Sequence, residues 1–92
     1  MSTALSVIDR LIVKAASQNA SDVHISSGQS VSFRINGELS EVEGSPNSDR
    51  QLHAWLEEVL DSSALEELEE QGDIDFAHTV DDKVRIRVSA FL

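Results

Sequence analysis

The stretch Ala20-Ser-Asp-Val-His-Ile-Ser-Ser-Gly28 is where the spacing of apolar residues changes from helical to extended. Within it, Val23 and Ile25 alternate with polar residues, which is the pattern of a half-buried β-strand. Apolar residues before this stretch recur at helical spacing, and those after it continue to alternate. The chain therefore combines helix and strand, and the order of these elements determines its fold class.

The residues before this stretch predict an amphipathic helix from about Thr3 to Gln18. Arg10 and Lys14 lie on the polar side of this helix, and the turn-favouring residues 19–22 end it. The apolar side recurs at spacings of three and four and consists of Leu5, Ile8, Leu11, Ile12 and Ala15.

The residues after this stretch predict a β-hairpin. Apolar and polar residues alternate over Val31–Ile35, which indicates a second strand. Asn36-Gly37 follows it and favours a type I′ turn, because both central positions of that turn need a positive φ. Leu39 and Val42 then continue into a short third strand, and residues 43–47 form a loop.

A helix is predicted from about Asp49 to Leu60. Ser48, with Gln51 three residues later, resembles a capping box at its start. Trp55 lies on the apolar side of this helix, so we expect it in the core. The other apolar residues of that side are Leu52, Leu56, Val59 and Leu60.

A shorter helix and two further strands complete the chain. Ser63 and Glu66 form a second capping-box pattern, and Gln71-Gly72 is typical of a left-handed helix end. Alternation returns around residues 73–77 and 84–91, with a turn at Asp81-Asp82-Lys83. The order α-β-β-β-α-α-β-β predicts an α+β domain, with the helices on one face of an antiparallel sheet of about five strands.

The composition is that of one small domain without cysteine. The chain has 92 residues, of which 40% are hydrophobic, and this suffices for a packed core. Its formal net charge is −10, from 17 acidic and 7 basic residues, which disfavours nucleic acid and anionic membranes as partners. No apolar run approaches the roughly 20 residues of a membrane span.

Arg85 and Arg87 are the strongest candidates for a ligand contact. They lie two residues apart on a strand, so both project from the face opposite the apolar side. Two adjacent guanidinium groups suit the recognition of phosphate or carboxylate. The alternative, which spacing alone favours, is a structural ladder with Asp73 and Asp75 opposite the two arginines. Each such cross-strand pair contributes about 0.2–1 kcal/mol.

Asp22 and His24 share the polar face of the first strand and are weaker candidates. A metal site would need a third ligand, and His53 and His78 lie at uninformative spacings. Any histidine could serve as a general base. The structural alternative, which we favour, is that Asp22 caps a turn and His24 forms a hydrogen bond with a surface neighbour.

An acidic band crosses the two central helices. We expect a solvated face, and the alternative is a docking surface for a basic partner. The chain has no Walker-type phosphate-binding loop, no GxGxxG motif and no Gly-x-Ser-x-Gly elbow, so nothing predicts catalysis by this chain alone. The band consists of Glu57, Glu58, Glu66, Glu67, Glu69 and Glu70.

Four short motifs, taken in their order and spacing, resemble the N-terminal, PAS-like domain of the type II/IV secretion ATPases. The branch they resemble most is the type IV pilus retraction ATPase of twitching motility, whose short link after the first strand is similar to Ser26–Ser30. The motifs span nearly the whole chain. They are Ala20-Ser-Asp-Val-His-Ile25, Phe33-Arg-Ile-Asn-Gly37, Gly72-Asp-Ile-Asp-Phe76 and Arg85-Ile-Arg-Val-Ser-Ala-Phe91.

The resemblance implies that residues 1–92 form a single N-terminal domain of a larger protein, whose RecA-like ATPase domain is absent from this chain. In that family six chains form a ring, and each N-terminal domain packs on a RecA-like domain. The resemblance implies that Arg87 contacts nucleotide phosphate in the assembled ring. Arg85 is the second candidate for this contact. ATP and Mg would then belong to the full-length protein, and no cofactor is expected for the isolated domain.

The resemblance further implies a cytoplasmic protein, peripheral at the bacterial inner membrane through a pilus or secretion platform protein. Neither nucleic acid nor direct membrane insertion is expected. The chief departure from the family is that the chain stops at Leu92, before the Walker, His-box and Asp-box elements. The alternative is a stand-alone PAS-like interaction or sensor module, although three phenylalanines and one tryptophan leave little to line a flat-cofactor pocket.

Overall fold

The computed structural model describes residues 6–42, 44, 46 and 48–92 and shows three helices and five strands within them. The helices are α1 (Val7–Ser17), α2 (Asp49–Glu57) and α3 (Ser62–Gln71). The strands are β1 (Asp22–Ser26), β2 (Ser32–Ile35), β3 (Glu38–Glu41), β4 (Asp73–Val80) and β5 (Val84–Phe91). The predicted α+β class and the predicted order of elements are confirmed.

The strands form one mixed sheet in the order β3-β2-β1-β5-β4. The β1–β2, β2–β3 and β4–β5 pairs are antiparallel, as expected, but the central β1–β5 pair is parallel. A parallel pair needs a long crossover connection. The chain between β1 and β5 supplies one, because it includes α2 and α3 as well as three strands.

The core lies between the helices and one face of the sheet. Ile8 and Ile12 of α1 and Leu68 of α3 are fully buried together with the inward-facing strand residues. Trp55 is only partly buried and packs against this cluster rather than within it. The inward-facing residues of the sheet include Val23, Ile25, Phe33, Ile74, Ile86, Val88 and Ala90.

Helix α1 begins at Val7, four residues later than the predicted start. The hydroxyl of Ser6 accepts a hydrogen bond from the backbone N–H of Asp9 at 3.0 Å, and the Asp9 carboxylate accepts one from the Ser6 N–H. This reciprocal capping box fixes the first turn. The predicted positions Thr3 and Leu5 lie outside the described residues.

The start of α3 also differs from the prediction. The N-cap is Asp61, whose carboxylate accepts a hydrogen bond from the Ala64 N–H at 2.8 Å, and Ser63 lies inside the first turn. Aspartate is as good an N-cap as serine, so the spacing of Ser63 and Glu66 did not identify the helix start. The predicted left-handed end at Gly72 is confirmed, with a φ of 82°.

Two further features were predicted from local sequence. Ser48 caps α2 by accepting a hydrogen bond from the Gln51 N–H at 3.2 Å, although the helix ends at Glu57 instead of Leu60. Asn36 and Gly37 have φ values of 52° and 82°, as the predicted type I′ turn requires. In the loop at 43–47, only Gly44 and Pro46 are among the described residues.

Candidate functional site

The side of the sheet away from the helices carries mostly polar side chains, and we call it the open face. The strand register arranges these side chains in rows that cross the sheet. One row contains Leu39, Arg34, Asp22, Arg87 and Ala77. The next row contains Glu41, Ser32, His24, Ser89 and Asp75.

Arg85 and Arg87 both project from the open face of β5, as the alternation predicts. Both residues are exposed, while Ile86 and Val88 between and beside them are buried against the core. The two guanidinium groups therefore lie side by side on one strand, and both are accessible to solvent. That is the geometry required for contact with an anion from outside the domain.

The register of β4 against β5 differs from the predicted ladder. Arg87 lies opposite Ala77 and Arg85 lies opposite Thr79, whereas Asp75 lies opposite Ser89 and Asp73 lies opposite Phe91. The reason is the three-residue connection after Val80, which pairs Val80 with Val84. In this connection Asp81 and Asp82 adopt positive φ values of 53° and 55°.

One ion pair forms diagonally instead. Nη2 of Arg87 lies 3.7 Å from Oδ2 of Asp75, and the two side chains are 62% and 58% exposed. Exposed pairs of this kind contribute about 0–1 kcal/mol, so the pair is no strong anchor. Within the described residues Arg85 makes no ion pair.

Ser89 is a component of the site that the sequence analysis missed. It is only 5% exposed and is the one buried polar residue among those that the structure describes. Its hydroxyl donates a short hydrogen bond to Oδ1 of Asp75, which lies directly opposite on β4. The β4–β5 register is the signal that could have revealed this contact, and that register was predicted incorrectly.

Asp22 and His24 lie on the open face but do not form the predicted contacts. Asp22 stands between Arg34 and Arg87 in register, and it caps no turn through a hydrogen bond to another described residue. The ring of His24 stacks on Phe91, with centroids 6.4 Å apart. Its Nε2 is buried and has no hydrogen-bond partner in the described part of the chain.

The other histidines lie apart from His24. Nε2 of His78 lies 2.8 Å from Oδ1 of Asp9 and links β4 to α1. Burial acts to raise the pKa of Asp9, but hydrogen bonds from His78 and Ser6 outweigh it and leave that pKa below its ordinary value. No group of three or more His, Cys, Asp or Glu within 6–42, 44, 46 and 48–92 could hold a metal ion.

A cleft of about 500 Å³ lies beside α2 and is lined by Asp49, Arg50, His53, Glu69 and Leu92. Three of its lining residues already have polar partners. Nε2 of His53 lies 3.4 Å from Oε1 of Glu69, and Asp49 accepts a hydrogen bond from the Ser27 hydroxyl at 2.5 Å. The cleft therefore presents mixed, partly neutralised charge. The six glutamates of the acidic band are all exposed, as both the solvated face and the docking surface require.

Comparison with known proteins finds relatives of this chain in sequence and in structure. No protein-family model matches the chain. The type IV pilus retraction ATPase PilT of Pseudomonas aeruginosa is 31% identical to it over 84 residues, which is 91% of this chain. Over these 84 residues the chain is homologous to a part of the pilus retraction ATPase.

The solved structures give the same result. A crystal structure of the pilus retraction motor PilT with bound ADP matches 96% of this chain with a TM-score of 0.70 and 25% identity. The chain spans about a quarter of the length of these retraction ATPases, 24% of the first and 26% of the second. Over the described residues, no helix is long and apolar enough to cross a membrane.

Proposed function

We propose that this chain is the N-terminal domain of a motor ATPase that couples ATP hydrolysis to pilus retraction or secretion. In this proposal residues 1–92 belong to a single N-terminal domain, and a RecA-like domain of the same longer protein carries the phosphate-binding loop. The observation that supports this proposal is the similarity to a retraction ATPase over 91% of the chain. The match to a retraction motor solved with ADP supports a nucleotide as the ligand of the complete protein.

In this proposal Arg87 contacts a phosphate group of ATP bound to a RecA-like domain, and Arg85 is the second candidate. Both arginines are exposed on one face of a strand that is anchored in the core, so they can reach a neighbouring domain without unfolding. An arginine near the terminal phosphate stabilises the charge that develops during hydrolysis. The described residues offer no cluster for Mg, so Mg would be held with ATP by the RecA-like domain.

The proposed partners follow from the same assignment. The open face packs on the RecA-like domain of its own or an adjacent subunit, and the complete protein forms a hexameric ring. Such a ring works in the cytoplasm and attaches to the inner membrane through a pilus or secretion platform protein. The charge of −10 supports a protein partner in preference to nucleic acid or lipid.

The test is ATP turnover by the complete polypeptide encoded in the reading frame that contains this chain. We expect Arg87→Ala to lower kcat by at least about 100-fold, because removing a charge-stabilising donor has effects of that order. Arg50→Ala is the matched control, since Arg50 is also an exposed arginine but lies on α2. We expect its turnover to match the wild type.

Two results would overturn the proposal. Unchanged turnover in Arg87→Ala would remove the assigned role of that residue. A reading frame without a Gly-x-x-x-x-Gly-Lys-Ser/Thr loop beyond Leu92 would remove the motor assignment as a whole.

A further inference from the structure

Asp75 lies between a buried hydroxyl and an exposed guanidinium. Its Oδ1 accepts a hydrogen bond from Ser89, and its Oδ2 lies 3.7 Å from Nη2 of Arg87. Ser89 is buried in the sheet, so the carboxylate is anchored on one oxygen and presents the other. The orientation of this carboxylate is therefore set by the sheet rather than by the arginine.

The surroundings of the two arginines differ. Directly opposite Arg87 is Ala77, which has no polar group and leaves space beside the guanidinium, while Thr79 lies opposite Arg85. Arg87 also has Asp22 beside it in register on β1, but the only ion pair of Arg87 in the described structure is with Asp75. Of these two arginines, only Arg87 therefore has a counter-ion among the described residues.

We propose that Asp75 is a positioning residue for Arg87, an internal counter-ion that a phosphate group must displace. The proposal rests on the proposed phosphate contact of Arg87. The separation of 3.7 Å exceeds the 2.7–2.9 Å of a charge-assisted hydrogen bond, so the contact is easily exchanged for a stronger one. Because Ser89 restrains the carboxylate, Asp75 cannot follow Arg87 when the guanidinium turns toward a phosphate.

This arrangement places a competing negative charge beside the proposed phosphate contact. A phosphate group that approaches Arg87 meets the negative charge of Asp75, which lowers its affinity. In the absence of nucleotide, Asp75 is therefore a weak counter-ion of Arg87, as exposed ion pairs are.

The experiment compares Asp75→Asn with Asp73→Asn in the 92-residue chain. Asparagine can still accept the hydrogen bond from Ser89, so the fold is preserved while the charge is lost. Asp73 is the matched control, because it is exposed on the same strand and face but lies opposite Phe91. The Nε–H signal of Arg87 is followed by ¹⁵N NMR, first without phosphate and then during titration with tripolyphosphate.

We expect Asp75→Asn to shift the Arg87 signal before any phosphate is added, and Asp73→Asn to leave it in place. We also expect Asp75→Asn to raise the affinity for tripolyphosphate by about 1.5- to 5-fold over Asp73→Asn, which corresponds to the range measured for exposed ion pairs. Equal affinities and equal Arg87 signals in the two variants would overturn the role of Asp75 and leave the phosphate contact of Arg87 intact.

The phosphate contact itself is tested separately by Arg87→Ala in the Asp75→Asn background. Loss of tripolyphosphate binding would support the contact. If binding were unchanged, Arg87 would not be the phosphate ligand, and the proposed function of that residue would fail. The phosphate-free Arg87 signals of Asp75→Asn and Asp73→Asn, which both retain Arg87, would still report whether Asp75 restrains Arg87.

Discussion

At the scale of single residues, the pair of Asp9 and His78 joins two parts of the chain that are far apart in sequence. Asp9 contacts the Ser6 N–H at the start of α1, and its other oxygen faces His78 on β4. The carboxylate therefore stabilises both the first turn of the helix and the packing of that helix on the sheet. Its hydrogen bonds favour the ionised form, which is why its pKa is lowered.

This lowered pKa predicts a dependence of stability on pH. A carboxyl group whose folded-state pKa lies below its unfolded value stabilises the protein above the unfolded pKa, and this contribution is lost as pH falls through the folded pKa. We expect Asp9→Asn to lower the free energy of unfolding by about 0.5–1 kcal/mol at pH 7. The difference in free energy of unfolding between Asp9→Asn and the wild type should shrink below about pH 4.

Urea denaturation at pH 7 and pH 3 measures this effect. Glu67→Gln is the control, because Glu67 is an exposed carboxylate on α3 that makes no capping hydrogen bond or ion pair with the described residues. A difference between Asp9→Asn and the wild type that stayed constant with pH would show that the charge of Asp9 does not carry the stabilisation.

At the scale of the elements, Gly72 connects α3 to β4 and to the end of β5. Its N–H donates to the Leu68 carbonyl at 2.8 Å, and its own carbonyl accepts from the Leu92 N–H at 2.9 Å. Its φ of 82° is a left-handed value that side chains with a Cβ rarely adopt. The helix end and the last strand are therefore held in place through one residue.

We expect Gly72→Ala to lower the free energy of unfolding by about 1 kcal/mol, as the left-handed conformation strains a residue with a Cβ. Nothing lies within 4 Å of the position that this Cβ would take, so the cost comes from the backbone and not from a clash. Gly72→Asn should cost less, because asparagine tolerates left-handed φ better. Thermal unfolding of the wild type, Gly72→Ala and Gly72→Asn gives their order of stability. A larger loss of stability in Gly72→Asn than in Gly72→Ala would contradict this explanation.

The elements also show how far local sequence determines structure. Asn36-Gly37 and Gly72 were predicted correctly, because their requirement for positive φ is a property of the residues themselves. The N-cap of α3 was predicted incorrectly, because Asp61 and Ser63 are both good caps and only the fold selects between them. The positions of Arg85 and Arg87 on the open face followed from alternation alone. The contact between Ser89 and Asp75 depends on the strand register, which the Asp81–Lys83 turn sets.

At the scale of the whole molecule, one buried layer supports the open face. Phe33 is the largest fully buried side chain of β2 and faces the helices, while Arg34 next to it faces the open side. A domain of this size has a modest stability margin, since it buries only about 60–65% of its unfolded surface. The arrangement of the arginines therefore depends on a core whose stability margin is small.

We expect Phe33→Ala to lower the free energy of unfolding by about 3–5 kcal/mol, because it deletes a large buried side chain. This is comparable to the whole stability of a small domain, about 5 kcal/mol at the low end. Leu39→Ala is the control, because Leu39 is 52% exposed on β3. Circular dichroism with increasing urea measures both, and a Phe33→Ala protein as stable as Leu39→Ala would contradict the assignment of the core.

Because β1 pairs with β5, the centre of the sheet joins the early and the late parts of the chain. The β2–β3 hairpin needs only a short loop and can form as soon as its residues leave the ribosome. The β1–β5 pair must wait for the last strand, and closing so long a loop slows folding. Until β5 arrives, β1 has one unpaired edge and its apolar face is incompletely covered. The nascent domain is therefore most exposed to aggregation just before its synthesis is complete.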